Sequence, residues 1–192
     1  MSGEGALSLV EAVAARREAI VQEWLARTLQ SYPEHTARFL GREKDRFRNP
    51  VGHTLKEALP ALFDALLGGM GAAKVAPLLD GIVRIRAVQD FTAAQAVAFV
   101  FLLKRVVRGE LGNEVQGGLA GEELEALEAR IDEMALLAFD LFMTCRERIY
   151  QIRADEAKRR VYLQERMGGV KPTASSVLPR GGDGGRVRPE PR

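Results

Sequence analysis

The chain has little of what most site chemistry needs. It holds one cysteine, two histidines, one tryptophan and three tyrosines in 192 residues. With Cys145 alone, an intramolecular disulfide is excluded and nothing points to an oxidising compartment. His35 and His53 do not fall at zinc spacing with any cysteine, and no G-x-S-x-G, P-loop or dinucleotide fingerprint occurs. The longest apolar run, Ala96 to Leu103, spans eight residues, where a membrane helix needs about 20. The opening residues, "MSGEGALSLVEAVAARREAIV", lack a basic n-region followed by an apolar core, so no signal peptide is expected. These absences predict a cytoplasmic protein with no cofactor, metal or catalytic site. Neither histidine is placed as a haem ligand, because both fall at helix starts or connectors.

What the chain does have is charge of both signs and helical periodicity. Net charge is +2, so no global signal for nucleic acid exists, but the balance is uneven. Residues 146–192 carry 12 basic against 6 acidic side chains, and residues 1–145 carry 16 against 20. Apolar residues recur at helical spacing nearly throughout. Residues 6–31 place Val13, Ile20 and Trp24 on one face, and Pro33 stops the run. The connector 35–50 has room for one helical turn around Phe39 and Leu40. Thr54 and Glu57 form a capping-box pattern opening a helix to Leu67, with Pro60 inside it. A helix over 75–88 follows, although Val83–Val88 also alternates like a strand.

Thr92 and Gln95 give a second capping box, and the helix it opens reaches Arg108. That helix is apolar on nearly all sides, which predicts a central position with Phe99, Phe101 and Leu102 in the core and Lys104, Arg105 and Arg108 snorkelling or facing water at its end. A flexible loop is expected over 109–121. Then Leu124, Leu127, Ile131, Met134, Ala138, Leu141 and Cys145 follow a heptad seam in a helix over about 122–166. Glu133, Asp140, Thr144, Glu147 and Gln151 form its solvated stripe. Beyond Ile152 the seam loses its apolar residues.

The expected organisation is a helical domain over 1–152, a projecting output helix over 153–167, and a disordered Gly/Pro-rich basic tail over 168–192. Glu156, Arg159 and Leu163 are candidates for a partner surface. His53, Arg84, Arg86 and Asp90 are candidates for a ligand or ion-pair site. Arg84 and Arg86 lie about 200° apart on a helix, so one is expected to pair with Asp90 or another acid at the helix junction.

Four segments carry a family resemblance: "AIVQEWLARTLQSYP", "RFLGREKDRFRNPVGHTLKEALPALFDALL", "IVRIRAVQDFTAAQAVAFVFLLKRVVR" and "AFDLFMTCRERIYQIRADEAKRR". Together, over about residues 7–165, they resemble the RsbRD N-terminal domain family. These are bacterial negative regulators related to the sensor half of stressosome RsbR proteins. The resemblance implies an all-α, globin-like bundle without haem, a homodimer, and a non-enzymatic role in sigma-factor regulation under stress. In two-domain relatives a projecting helix leads to a STAS domain that binds a kinase of the partner-switching pathway. No STAS segment follows here, so scaffolding by that route is not expected. The implied partners are an anti-sigma kinase, a STAS protein or a subunit of a respiratory complex. The alternative is a small-molecule or redox-cofactor binding protein attached to an anaerobic respiratory complex.

Overall fold

A run of helix-favouring residues bounded by capping residues and prolines folds into helices alone. The computed structural model describes residues 8–69, 71–112 and 118–168, and among these there is no strand. The elements are α1 (Leu9–Ala15), α2 (Arg17–Leu29), α3 (Glu34–Arg42), α4 (Pro50–Leu67), α5 (Ala72–Val88), α6 (Ala93–Leu111) and α7 (Gly118–Gly168). By internal contacts the chain divides into two units, residues 1–152 and 153–192. The tail expected to be disordered lies, from residue 169, outside the described residues, as does part of the loop expected over 109–121.

Local chemistry sets the helix boundaries, and several differ from the sequence expectation. The first long pattern is two helices, because Arg16 (φ −98°, ψ 11°) leaves helical geometry between α1 and α2. A side-chain oxygen closes α1 at its start: Ser8 accepts from the Glu11 amide, and Glu11 returns a bond to the Ser8 amide. The expected single turn around Phe39 is the nine-residue α3.

Helix α4 starts at Pro50, before the Thr54 capping pattern. Asn49 caps it, its Oδ1 accepting from the Gly52 amide at 2.8 Å. Proline suits the first helical position because its missing N–H needs no partner there. Thr54 therefore lies inside the helix and donates its hydroxyl to the Pro50 carbonyl at 2.9 Å. The Thr92 box forms as expected: Thr92 Oγ1 accepts from the Gln95 amide, and Gln95 Oε1 accepts from the Thr92 amide. The strand-like alternation at Val83–Val88 is helix, part of α5.

Within unit 1–152, α4 packs on α5 and α2 on α6, with α2 also touching α4. Trp24, Phe63, Phe99, Leu59, Leu62 and Leu103 are buried at the centre. Each such side chain contributes about 1.5–3 kcal/mol by leaving water. Trp24 is tied across the α2–α6 contact. Its Nε1 donates to the Phe99 carbonyl at 2.6 Å, and its ring stacks on Phe99 at 6.3 Å. The seam of α7 is buried at Leu124, Leu127, Ile131, Met134 and Ala138. Lys104 bonds Asp132 at 2.7 Å and Arg108 bonds Glu128 at 2.6 Å, so α6 and α7 are pinned at their solvent edges. The expected solvated stripe of α7, Glu133 to Gln151, is exposed.

One core expectation fails. Phe99 is buried, but Phe101 is 48% exposed and Leu102 half-buried. Helix α6 is apolar on nearly all sides, yet this chain covers only part of it.

Candidate functional site

The junction between α5 and α6 concentrates the unusual chemistry. Arg86 comes from the last turn of α5 and is 0% exposed. Its guanidinium lies over three rings, with centroids at 5.4 Å (Tyr32), 5.2 Å (Phe91) and 4.9 Å (Phe99). One terminal nitrogen donates to the carbonyls of Gln95 (3.1 Å) and Ala96 (3.3 Å) in the first turn of α6. The other donates to Ser31 Oγ at 3.2 Å, and Ser31 Oγ donates in turn to the Thr28 carbonyl.

Among the described residues no carboxylate pairs with Arg86. Its Nε, and the buried hydroxyl of Thr28, have no partner. Burial pushes the guanidinium pKa down, and Tyr32 partly opposes this. The group stays a cation because arginine starts so far above neutrality. It is held by ring faces and carbonyl dipoles, not by an opposite charge.

Over this cage the α5–α6 turn is closed from α7. Asp90 adopts φ 58°, the left-handed region, the one non-glycine residue to do so among those described. Aspartate tolerates it better than most residues. Arg146 of α7 donates to the Ala87 carbonyl at 3.0 Å and to Asp90 Oδ1 at 3.3 Å, while also bonding the Tyr150 hydroxyl at 2.8 Å. Four helices thus meet at one junction: the end of α2, the end of α5, the start of α6 and residues 146–150 of α7.

The sequence candidates are distributed differently from the expectation. Asp90 pairs with Arg146 and not with either arginine of α5. Arg84 turns outward to Asp80, one turn back, at 2.7 Å. Arg86 has no acid partner among the described residues. Both arginines have an acid four residues away, but Asp80 lies within α5 with Arg84, whereas Asp90 lies past the end of α5 in the turn and α5 packs Arg86 inward. His53 belongs elsewhere, on the first turns of α4, where Nε2 lies 3.1 Å from Glu57 Oε1 in a cleft also lined by Arg46, Phe47 and Pro50. Glu156, Arg159 and Leu163 are all exposed on α7.

Sequence reasoning missed Ser31, Tyr32, Phe91 and Arg146 as parts of this junction. Tyr32 and Phe91 stand beside turns, where spacing carries no periodic signal, and Arg146 reads as one more basic residue.

Other concave features offer less chemistry. A cleft of about 670 Å³ between α4 and α5 is lined by Ala61, Ala65, Gly68, Gly69, Lys74 and Leu78. Its carboxylate, Asp64, is held by Arg17 in a two-point bond at 2.6 and 2.8 Å, which lowers its pKa. No group of histidine, cysteine and acidic residues able to hold a metal occurs among the described residues. Cys145 is half-buried with Sγ 3.8 Å from Asp80 Oδ1. Burial first, then the Asp80 charge, push its thiol pKa up.

The sequence profile of the RsbT co-antagonist protein RsbRD N-terminal domain matches residues 18–157. The chain belongs to that family. RsbRD N-terminal domains are a family of regulatory signalling domains related to the stressosome. The matched span takes in the whole α5–α6 junction and ends on α7 where side chains have become exposed. No curated protein and no solved structure matches the chain. No helix among the described residues of this RsbRD domain is long and apolar enough to cross a membrane.

Proposed function

We propose that this RsbRD domain regulates by protein contact: it pairs with a second copy through α6 and α7 and passes a signal to a protein partner through the exposed end of α7. The observation that carries this reading is an apolar face on unit 1–152. Ala93, Ala94, Ala98 and Ala135 floor a groove of about 630 Å³, and Phe101, Leu136 and Phe139 stand at its edge. Leu136 is 67% exposed and Met143 extends the strip. Contiguous apolar surface of this kind marks an interface. Large side chains beside an alanine floor suit a two-fold contact, in which each copy's Phe139 enters the other's groove.

On this reading the α5–α6 junction is the internal coupling point, since it joins the core to α7 through Arg146. The pathway is sigma-factor control by partner switching, with an anti-sigma kinase or a STAS protein as receiver. Glu156, Arg159 and Leu163 form the surface that this partner contacts. Their side chains have no packing role in the described structure, and every described side chain from Tyr150 to Gln164 is exposed.

Sedimentation of the purified protein tests the first half. A dimer that Phe139→Glu converts to a folded monomer supports the reading. A wild-type monomer at micromolar concentration, or a dimer indifferent to Phe139→Glu and Leu136→Glu, refutes it. Co-purification from the native host with and without Glu156→Lys and Leu163→Glu tests the second half. A kinase or STAS protein retained by the wild type and lost from the variant is the expected result.

A further inference from the structure

The turn between α3 and α4 is built firmly and then spends that rigidity on an exposed aromatic. Asn49 is 2% exposed at its base. Its Nδ2 donates to the carbonyls of Leu40 (2.9 Å) and Glu43 (3.0 Å) while its Oδ1 caps α4. Asp45 holds the other limb: its carboxylate accepts from the Phe47 amide at 2.7 Å and its carbonyl from the Asn49 amide at 2.9 Å. Gly52 is needed where it stands, because a Cβ there would lie 2.3 Å from Asn49 Nδ2 and 2.5 Å from the Leu40 carbonyl. On this frame Phe47 is 92% exposed, the largest exposure of any large apolar side chain described.

Cations surround it. Arg42, Lys44, Arg46 and Arg48 are all exposed. Among the described residues only Arg48 of these four has an acid within 4 Å, Glu43 at 3.5 Å, and it stays 72% exposed. The acid nearest the tip, Asp45, is occupied by backbone amides. The result is an aromatic knob between two arginines, with Lys44 on the same turn and Arg42 at the end of α3.

We propose that this turn docks on an anionic lipid surface. Phe47 enters the headgroup boundary, while Arg42, Lys44, Arg46 and Arg48 meet lipid phosphates. The chemistry favours lipid over a folded acidic partner. The knob is convex, and the cleft beside it (about 340 Å³, lined by Arg46, Pro50, His53 and Glu57) is open to solvent. The cations are not fixed by hydrogen bonds into one geometry. A fluid array of phosphates accepts such cations in any arrangement, and an aromatic ring is at home at the interface. The contact is peripheral, and a dimer would present the turn twice.

The test is co-sedimentation of the full chain with phosphatidylcholine vesicles and with vesicles of equal parts phosphatidylcholine and phosphatidylglycerol. Binding to the mixed vesicles alone, weakened by salt, is expected. Phe47→Ala should lower it about tenfold, and Arg46→Ala about fivefold, the loss of one cation at the surface. Both positions are exposed, so thermal unfolding should not change. Equal binding to the two vesicles overturns the proposal. So does binding that survives the Phe47→Ala/Arg46→Ala double substitution, since another basic segment would then be responsible. Retention on immobilised polyglutamate, sensitive to both substitutions and without vesicle binding, would reassign the turn to an acidic protein.

Discussion

Arg86 is best tested by a substitution series in which the chemically closer lysine is expected to cost more stability than methionine. Removing the guanidinium forfeits three bonds from a charged donor, each worth about 1.5–3 kcal/mol, and contacts with three rings. It also removes a buried cation that lacks a counter-ion, whose desolvation costs several kcal/mol. The acceptors do not become orphans. The Gln95 and Ala96 carbonyls lie in α6 and Ser31 Oγ still donates to the Thr28 carbonyl. Arg86→Met, which refills most of the volume, should therefore cost only about 1 kcal/mol, because gain and loss nearly cancel. Arg86→Ala leaves a cavity and should cost about 3–5 kcal/mol, like other large buried truncations.

Arg86→Lys should fall between these two, at about 2–3 kcal/mol. The ammonium is more strongly hydrated and cannot span Ser31 and α6 with one planar fork. Urea titrations, with the midpoint shifting at constant slope, give the order. If lysine is tolerated as well as arginine while methionine costs more than about 3 kcal/mol, a fixed positive charge is required. The account of a cation held by rings and carbonyls would then be wrong.

Three further outcomes follow from the packing. Phe99→Ala should cost about 3–5 kcal/mol, whereas Phe101→Ala should cost under about 1 kcal/mol in the monomer and weaken self-association; equal losses in a denaturant melt would contradict the assigned exposures. Gly52→Ala should destabilise by about 1–3 kcal/mol through overpacking against Asn49, and a neutral result by calorimetry would mean that the α3–α4 turn is looser than described. Because burial raises the Cys145 pKa, less thiolate exists at a given pH than in a free cysteine. Iodoacetamide should modify it more slowly than a cysteine peptide at pH 8 and catch up only as pH rises; faster modification than the peptide would show the reverse shift.

The helices were readable because their signals are local. Heptad spacing in α7 and the Thr92 box in α6 depend on residues a turn or two apart. The start of α4 was misread because two capping patterns compete, and Asn49–Pro50 wins through bonds to Leu40 and Glu43 that lie outside any short motif. The break at Arg16 carries no proline or glycine to announce it. For the junction, the sequence supplied Arg86 and Asp90 but the wrong partners. Arg86 is held by residues of α2, α6 and the turns beside them, and Asp90 by a residue 56 positions away, so neither contact has a periodic trace. Phe101 shows the converse limit. An all-round apolar helix looks central from its own composition, and only the placement of its neighbours reveals which side is bare.

The contact between Trp24 and Phe99 has a practical consequence. Trp24 is the chain's single tryptophan, so all indole emission arises from one ring, 0% exposed and bonded to the backbone of α6. The same α6 residue, Phe99, lies beneath the Arg86 guanidinium. The native molecule therefore carries its own optical gauge of the α2–α6 seam. Its spectrum should be blue-shifted at rest and should redden whenever a signal levers α6 away from α2, without any label being added.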